Sequence, residues 1–410
     1  MNPDLLFYII LIILVSDFSI DLVLTQLNAK KFDAPIPDEL KGIYNEEAYT
    51  KSQQYKKDNH RFGLLNGIVT ITSTVIFLVI GGFEFVDRIA RNISEEPIAN
   101  ALIFFGIILF ASDILGTPFE WYHTFVIEEK YGFNKTSKRT FIIDKIKGWM
   151  LAILVGGVIL SLIMVFFQYA EAYFWLYTWI LFTAFSLFTT MFYSKLIVPL
   201  FNKRSPIEEG ELKSAIKEYS EKIGFKIKNI FVIDGSKRST KANAYFSGIG
   251  PEKQITLFDT LIDELDTPQI VAVLAHEVGH YKKKHILFNF ITSIVIMGIT
   301  LFILSLFLNN LELSTAIGVK NPSFHAGLIT FGILYTPISR CTGLIMNYFS
   351  RKFEFEADAY AKNTYAPAPL IQALKKLSQN SLSNLSPHPA YVFTYYSHPT
   401  LLQRIRQLKA

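Results

Sequence analysis

The sequence predicts a mainly α membrane protein: seven transmembrane helices that carry a small α+β domain. Three observations predict it. Half of the 410 residues are apolar and only 18% are charged, below the quarter usual for soluble domains. Seven stretches are apolar enough to cross a bilayer, which takes about 20 helical residues: 5–26, 63–84, 99–118, 149–168, 173–195, 286–308 and 324–346. Lys and Arg also gather in alternate connections between these stretches.

Segment 27–62 holds seven basic residues and segment 119–148 holds six, and 196–285 is richer still. The connections between them are poor, with Arg88 and Arg91 in one, none at 169–172 and Lys320 in another. Basic loops stay on the cytoplasmic side, so the N-terminus is expected outside (periplasm or lumen) and the C-terminus in the cytoplasm. The first stretch does not read as a cleaved signal. It lacks a basic start and a small-residue cleavage site, and it carries Asp17 and Asp21. The lone Cys341 allows no internal disulfide. A net charge of +5 accompanies no nucleic-acid motif, so a bilayer rather than a nucleic acid is the expected partner. The expected organisation is spans 1–5 with their loops at 1–195, a soluble subdomain at 196–285, spans 6 and 7 at 286–346, and a C-terminal part at 347–410.

Within 196–285, residues 206–223 have an amphipathic pattern with Pro206 near the first turn, and predict a helix. Asn229–Ile233, Ala242–Phe246 and Gln254–Phe258 are short β-prone runs, the first two stopped by Asp234-Gly235 and Gly248. They predict a small sheet. Thr267-Pro268 then opens a helix, with Thr267 as its cap. That helix is expected to run through His285 and to continue into the sixth span.

The helix contains His276-Glu277-Val278-Gly279-His280. Residues four apart share a helix face, so both imidazoles can reach one ion. Glu277 lies one step round, close enough to serve a metal-bound water without becoming a ligand. Zinc lowers the pKa of such a water to about 7, and a nearby carboxylate can take its proton and pass it to a leaving amine. A catalytic zinc takes three protein ligands and keeps one position open.

Glu354 is the expected third ligand. It lies in a helical stretch, 350–363, where Glu354 and Asp358 are again four apart, and Glu356 points elsewhere. Asp358 could take the spare N–H of a ligand histidine and fix its tautomer. An acidic, solvated face balanced by Arg351 and Lys352 explains the spacing equally well. His398 and Arg404 could stabilise an oxyanion or grip a substrate carboxylate. His60, His123, His285, His325 and His388 lack a matched partner and read as structural.

Together, His276 to His280, Phe353-Glu-Phe-Glu-Ala-Asp358-Ala-Tyr-Ala361 and Ser397-His-Pro resemble the zinc-dependent type I CAAX prenyl proteases. Glu129–Thr136 and Asn243–Gly248 extend the likeness over nearly the whole chain. The resemblance implies a seven-helix transmembrane barrel enclosing a water-filled chamber, with a zinc domain on the cytoplasmic side. It implies cleavage after a prenylated cysteine, with release of the last three residues. It also implies one zinc per chain on His276, His280 and Glu354. Glu277 would be the acid/base, Asp358 the adjacent acid, and His398 and Arg404 would sit near the scissile bond. Asn243 and Ala244 would lie on an edge strand that pairs with the substrate peptide. Glu356 stands where the family often has Gln. The membrane would be the endoplasmic reticulum or a bacterial cell membrane, and in the latter a broader quality-control protease is the alternative. Charges in or near the spans, Asp17, Asp21, Asp113 and Arg340, also fit a transporter or channel, which has no use for Glu277.

Overall fold

The computed structural model describes residues 2–225, 229–247, 254–308 and 310–410. Gly248, the expected stop of the second β run, lies outside them. The first half is α1 (Pro3–Ala29), α2 (Glu46–Val79), the short α3 (Gly82–Ile93), α4 (Pro97–Tyr131), α5 (Lys138–Tyr169) and α6 (Glu171–Phe201). β1 (Arg204–Pro206), α7 (Glu211–Lys222), β2 (Asn229–Ile233), β3 (Ala244–Ser247), β4 (Gln254–Phe258) and α8 (Thr267–Lys282) follow. The rest includes α9 (His285–Phe307), α10 (Phe324–Thr364), α11 (Pro367–Asn380), α12 (Pro389–Tyr395) and α13 (Leu401–Lys409), besides short helical turns at Asp259–Glu264 and Leu311–Ala316.

Among the described residues, seven helices are long and apolar enough to cross a membrane: α1, α2, α4, α5, α6, α9 and α10. Each coincides with one expected stretch, but α2 stops at Val79, short of the expected 84, because Gly81 takes φ +73° and turns the chain into α3, and α9 ends at Phe307, one residue short. Several overrun their stretch at the end where the basic loops lie, because hydropathy marks only the part of a helix that meets lipid. α2 begins after Asn45, whose Oδ1 accepts the Ala48 N–H at 2.8 Å, and α5 after Ser137, whose Oγ accepts the Thr140 N–H at 3.0 Å. Both are ordinary N-caps. α10 does not stop at the membrane. No Gly or Pro interrupts Asn347–Ser350, so the span and the expected helix at 350–363 are one helix of 41 residues.

The spans close on themselves. α1 packs on α2, α2 on the end of α4, α4 on α5, α5 on α6, α6 on α9, α9 on α10 and α10 on α1. Only 6–17% of each apolar window is buried. A solid bundle would bury far more, so the seven helices form a hollow ring. Asp17, Asp21, Asp113 and Arg340, the charges that lie in or near the apolar stretches, are paired, as hydrocarbon demands. Arg340 Nε and Nη2 donate to Asp17 and Asp21 at 2.7 and 2.8 Å, and Tyr395 of α12 donates to Asp21. Asp113 takes Lys145 Nζ at 2.7 Å and Trp149 Nε1 at 2.9 Å. These contacts tie one element to the next and leave none of these four charges free.

The sheet has the order β1-β2-β4-β3, with β2 and β4 parallel and the outer pairs antiparallel. The sequence reading missed β1 and started the following helix too early. Pro206 belongs to β1, and Ile207 N–H still bonds to Ile230 C=O at 3.0 Å, so the chain cannot coil until Glu211. Ile216, Ile255, Leu257, Leu261, Ile270 and Leu274 form the core between sheet and helices, each almost fully buried.

α8 starts one residue earlier than its Thr267 suggests. Asp266 is the cap, and its side chain and that of Gln269 form a reciprocal capping box. Against α10 it presents Gly279, which meets Ala357, while Ala275 and Ala361 belong to the same buried core. A Cβ on Gly279 would stand 3.0 Å from Ala357 Cα and 3.1 Å from its carbonyl oxygen. Gly279→Ala is therefore expected to cost about 1–3 kcal/mol through overpacking and to part the two helices. Thermal unfolding read together with metal content checks this. An unchanged melting point with full metal would contradict the close approach.

Candidate active site

α8 and α10 bring three donor groups together. His276 Nε2, His280 Nε2 and an oxygen of Glu354 lie within 4.8 Å of one another. The two imidazole nitrogens are 3.2 Å apart, His276 Nε2 is 3.4 Å from Glu354 Oε2, and His280 Nε2 is 3.3 Å from Glu354 Oε1. Around a small tetrahedral ion with bonds of about 2.0–2.1 Å, neighbouring donors stand about 3.3 Å apart. The triangle has that edge on every side. Glu354 is 4% exposed, and its Oε2 takes no hydrogen bond, although Arg404 Nη1 is 3.4 Å away. A buried carboxylate oxygen without a donor is costly, and an ion satisfies it. The residues present fit a divalent metal.

Asp358 sits behind His276, fully buried, with Oδ1 2.9 Å from His276 Nδ1. Arg404 from α13 grips the same carboxylate with Nε at 2.8 Å and Nη2 at 2.6 Å. Burial works against the Arg404 charge, but these hydrogen bonds outweigh it and hold the group protonated. Burial would likewise lower the His276 pKa, yet its hydrogen bond to Asp358 and the neighbouring Glu354 carboxylate push it up to about 9 when no ion competes for its nitrogen. The guanidinium of Arg404, expected near the scissile bond, is occupied by Asp358.

His398 stands on the open side. Its Nε2 lies 3.2 Å from Glu354 Oε1, its side chain is 61% exposed, and Ser397 Oγ holds its Nδ1 at 2.9 Å. Glu277, next to His276 on α8, has no hydrogen bond or ion pair among the described residues, and its charge is felt by Arg404. An unengaged carboxylate beside a metal triangle is free to carry protons.

β3, an outer strand, packs on α8. The Phe258 N–H bonds to Asn243 C=O at 3.1 Å. The alternation of an antiparallel pair then turns the backbone groups of Ala244 and Phe246 away from β4, toward the free edge. Asn243 Oδ1 covers the Ala244 N–H at 2.8 Å. A cavity of about 550 Å³ opens between this strand and α6, lined by Thr189, Tyr193, Asn243, Tyr245 and Ser247 among others. A cavity of about 570 Å³ between α2 and α4 contains none of the metal-site residues.

The sequence reading missed two residues. The sequence reads His285 as structural and Glu356 as pointing elsewhere. His285 Nδ1 is 3.1 Å from His280 Nδ1, and His285 Nε2 is 3.0 Å from Glu356 Oε2. The remaining histidines lie elsewhere, His123 with Asn59, His325 with Asp87, His388 capping α12 and His60 against Phe32. The signal for His285 was hidden because α8 does not continue into α9. Lys284 takes φ +63° and breaks the helix.

Comparison with known proteins agrees with this geometry. Residues 25–203 match the family described as the CAAX prenyl protease N-terminal region with five membrane helices, and residues 206–410 match peptidase family M48. The chain is 36% identical to the CAAX prenyl protease 1 homolog of Oryza sativa subsp. japonica, over 91% of this chain and 90% of that one. It is 33% identical to CAAX prenyl protease 1 of Saccharomyces cerevisiae, over 96% and 93%. The crystal structure of S. mikatae Ste24p superposes with a TM-score of 0.94 at 31% identity, covering 99% of both chains. A ring of membrane helices and a His-His-Glu triangle are what a membrane metalloendopeptidase requires, and the chain belongs to the CAAX prenyl proteases of peptidase family M48.

Proposed function

We propose that the chain is a zinc endopeptidase that removes the C-terminal tripeptide following a prenylated cysteine. The triangle of His276, His280 and Glu354, with Glu277 unengaged beside it, carries this reading. One zinc ion per chain fits the two-nitrogen, one-oxygen donor set. Bound there, zinc would supply Lewis acidity and lower the pKa of water. Glu277 takes up a proton as attack begins and returns it to the leaving amine. Asp358 keeps His276 in the tautomer that leaves Nε2 free, and Arg404 holds Asp358 in place. His398, exposed and next to Glu354, is the side chain available to donate to the developing oxyanion.

The substrate lies along β3. Ala244 and Phe246 offer backbone hydrogen bonds to an extended peptide, as strand addition requires, and Asn243 guides the start of the pairing. The hollow ring receives the lipid part of the substrate. Residues 196–285 and 347–410 act as the protease domain, facing the cytoplasm because the basic loops lie at that end. The N-terminus then faces the lumen or periplasm.

The test is cleavage of a farnesylated CAAX peptide and of the same peptide without its lipid, by the zinc-loaded protein in a bilayer. Release of the intact tripeptide is expected. Binding energy from the remote lipid should raise kcat/KM by about tenfold or more. Equal rates on both peptides would favour a broader quality-control protease, and no cleavage of either would sink the proposal.

A further inference from the structure

We propose that His285 and Glu356 form a second positioning relay, which fixes the tautomer and direction of the ligand His280. The inference rests on the metal-site reading above and deepens it. It follows from counting protons. His280 Nε2 faces the triangle, 3.2 Å from His276 Nε2 and 3.3 Å from Glu354 Oε1. A nitrogen that binds an ion carries no proton, so the proton of neutral His280 sits on Nδ1. Among the described residues, the partner of that nitrogen is His285 Nδ1, at 3.1 Å. His285 must therefore accept there, and its own proton sits on Nε2. That atom faces Glu356 Oε2 at 3.0 Å. Each link has one donor and one acceptor, and the direction runs from the ligand out to the carboxylate.

The surroundings hold His285 for this task. It is 3% exposed, and Phe353 stacks on its ring at 4.1 Å and 11°. Its position depends on Lys284, a non-glycine residue in the left-handed region. Such a conformation costs about 1–2 kcal/mol and persists where the surrounding structure imposes it. Here it swings the first residue of α9 back beneath His280. The arrangement parallels Asp358 behind His276, with one difference. Asp358 is buried and bound by Arg404, whereas the Glu356 side chain is 38% exposed and lies 4.0 Å from Lys352 Nζ. His285 joins a metal-site imidazole to a carboxylate and ties that imidazole to a membrane span.

Metal affinity, read by chelator competition on the full-length protein, tests the relay. His285→Ala is expected to weaken zinc binding by about 10–100-fold. Glu356→Ala should weaken it several-fold, whereas Glu356→Gln should stay within about twofold of wild type, because an amide oxygen still accepts from Nε2–H. The metal-stripped protein should melt alike with either residue at 356. Wild-type affinity in His285→Ala, or equal affinity in the two Glu356 variants, would overturn the relay. Should His285→Ala fail to fold, the exposed Glu356 pair decides alone. His276→Ala is the control. Its retention of zinc would indict the metal site itself rather than the relay.

Discussion

Glu277→Gln is expected to keep its metal and to lose about 10²- to 10⁴-fold in kcat, the share that a positioned acid/base contributes. The amide has the shape of the carboxylate but does not take up a proton. Three other groups make the donor triangle, so the metal has no need of residue 277. The residue has no hydrogen bond or ion pair among the described residues, so its replacement leaves the packing of α8 intact. Elemental analysis and single-turnover kinetics on the prenylated peptide measure the two halves. Loss of metal, or a rate within tenfold of wild type, would remove Glu277 from the chemistry.

Asp358→Ala should do its harm in a different order. The carboxylate is wholly buried and takes two hydrogen bonds from Arg404 and one from His276. Removing it strands a buried guanidinium, at a cost of about 3–5 kcal/mol in stability. It also frees the His276 ring, which should weaken metal binding about 10–100-fold. The double variant Asp358→Ala with Arg404→Leu separates these effects. It should regain much of the lost melting temperature, because no charge is stranded, while metal affinity stays low. If affinity returns as well, Asp358 serves packing alone.

The pair His276 and His280 was legible because both residues lie on one helix, whose period is fixed by the backbone. Glu354 with Asp358 was legible for the same reason, although spacing alone could not tell a ligand face from a solvated one. The seven spans followed from the thickness of hydrocarbon. What the sequence did not disclose depends on relations between elements. His285 reaches His280 only because one lysine leaves the helical region, and no local pattern announces that turn. Arg404 faces Asp358 rather than open space because α13 docks on α10 and α11. β1 is three residues long, too short for alternation to register, and it exists because β2 offers it an edge.

The contact between Gly279 and Ala357 bears on how bilayer thickness reaches the metal. Ala357 lies near one end of α10, three residues from Glu354 and 33 from Phe324. At 1.5 Å per residue these arms are about 4.5 Å and about 50 Å. Spans tilt to match thicker or thinner membranes. A tilt of about 5° around this fulcrum swings the far end of α10 by about 4 Å and Glu354 by about 0.4 Å. The long arm absorbs the change while the short arm barely moves, so the donor triangle keeps its dimensions from one membrane to another.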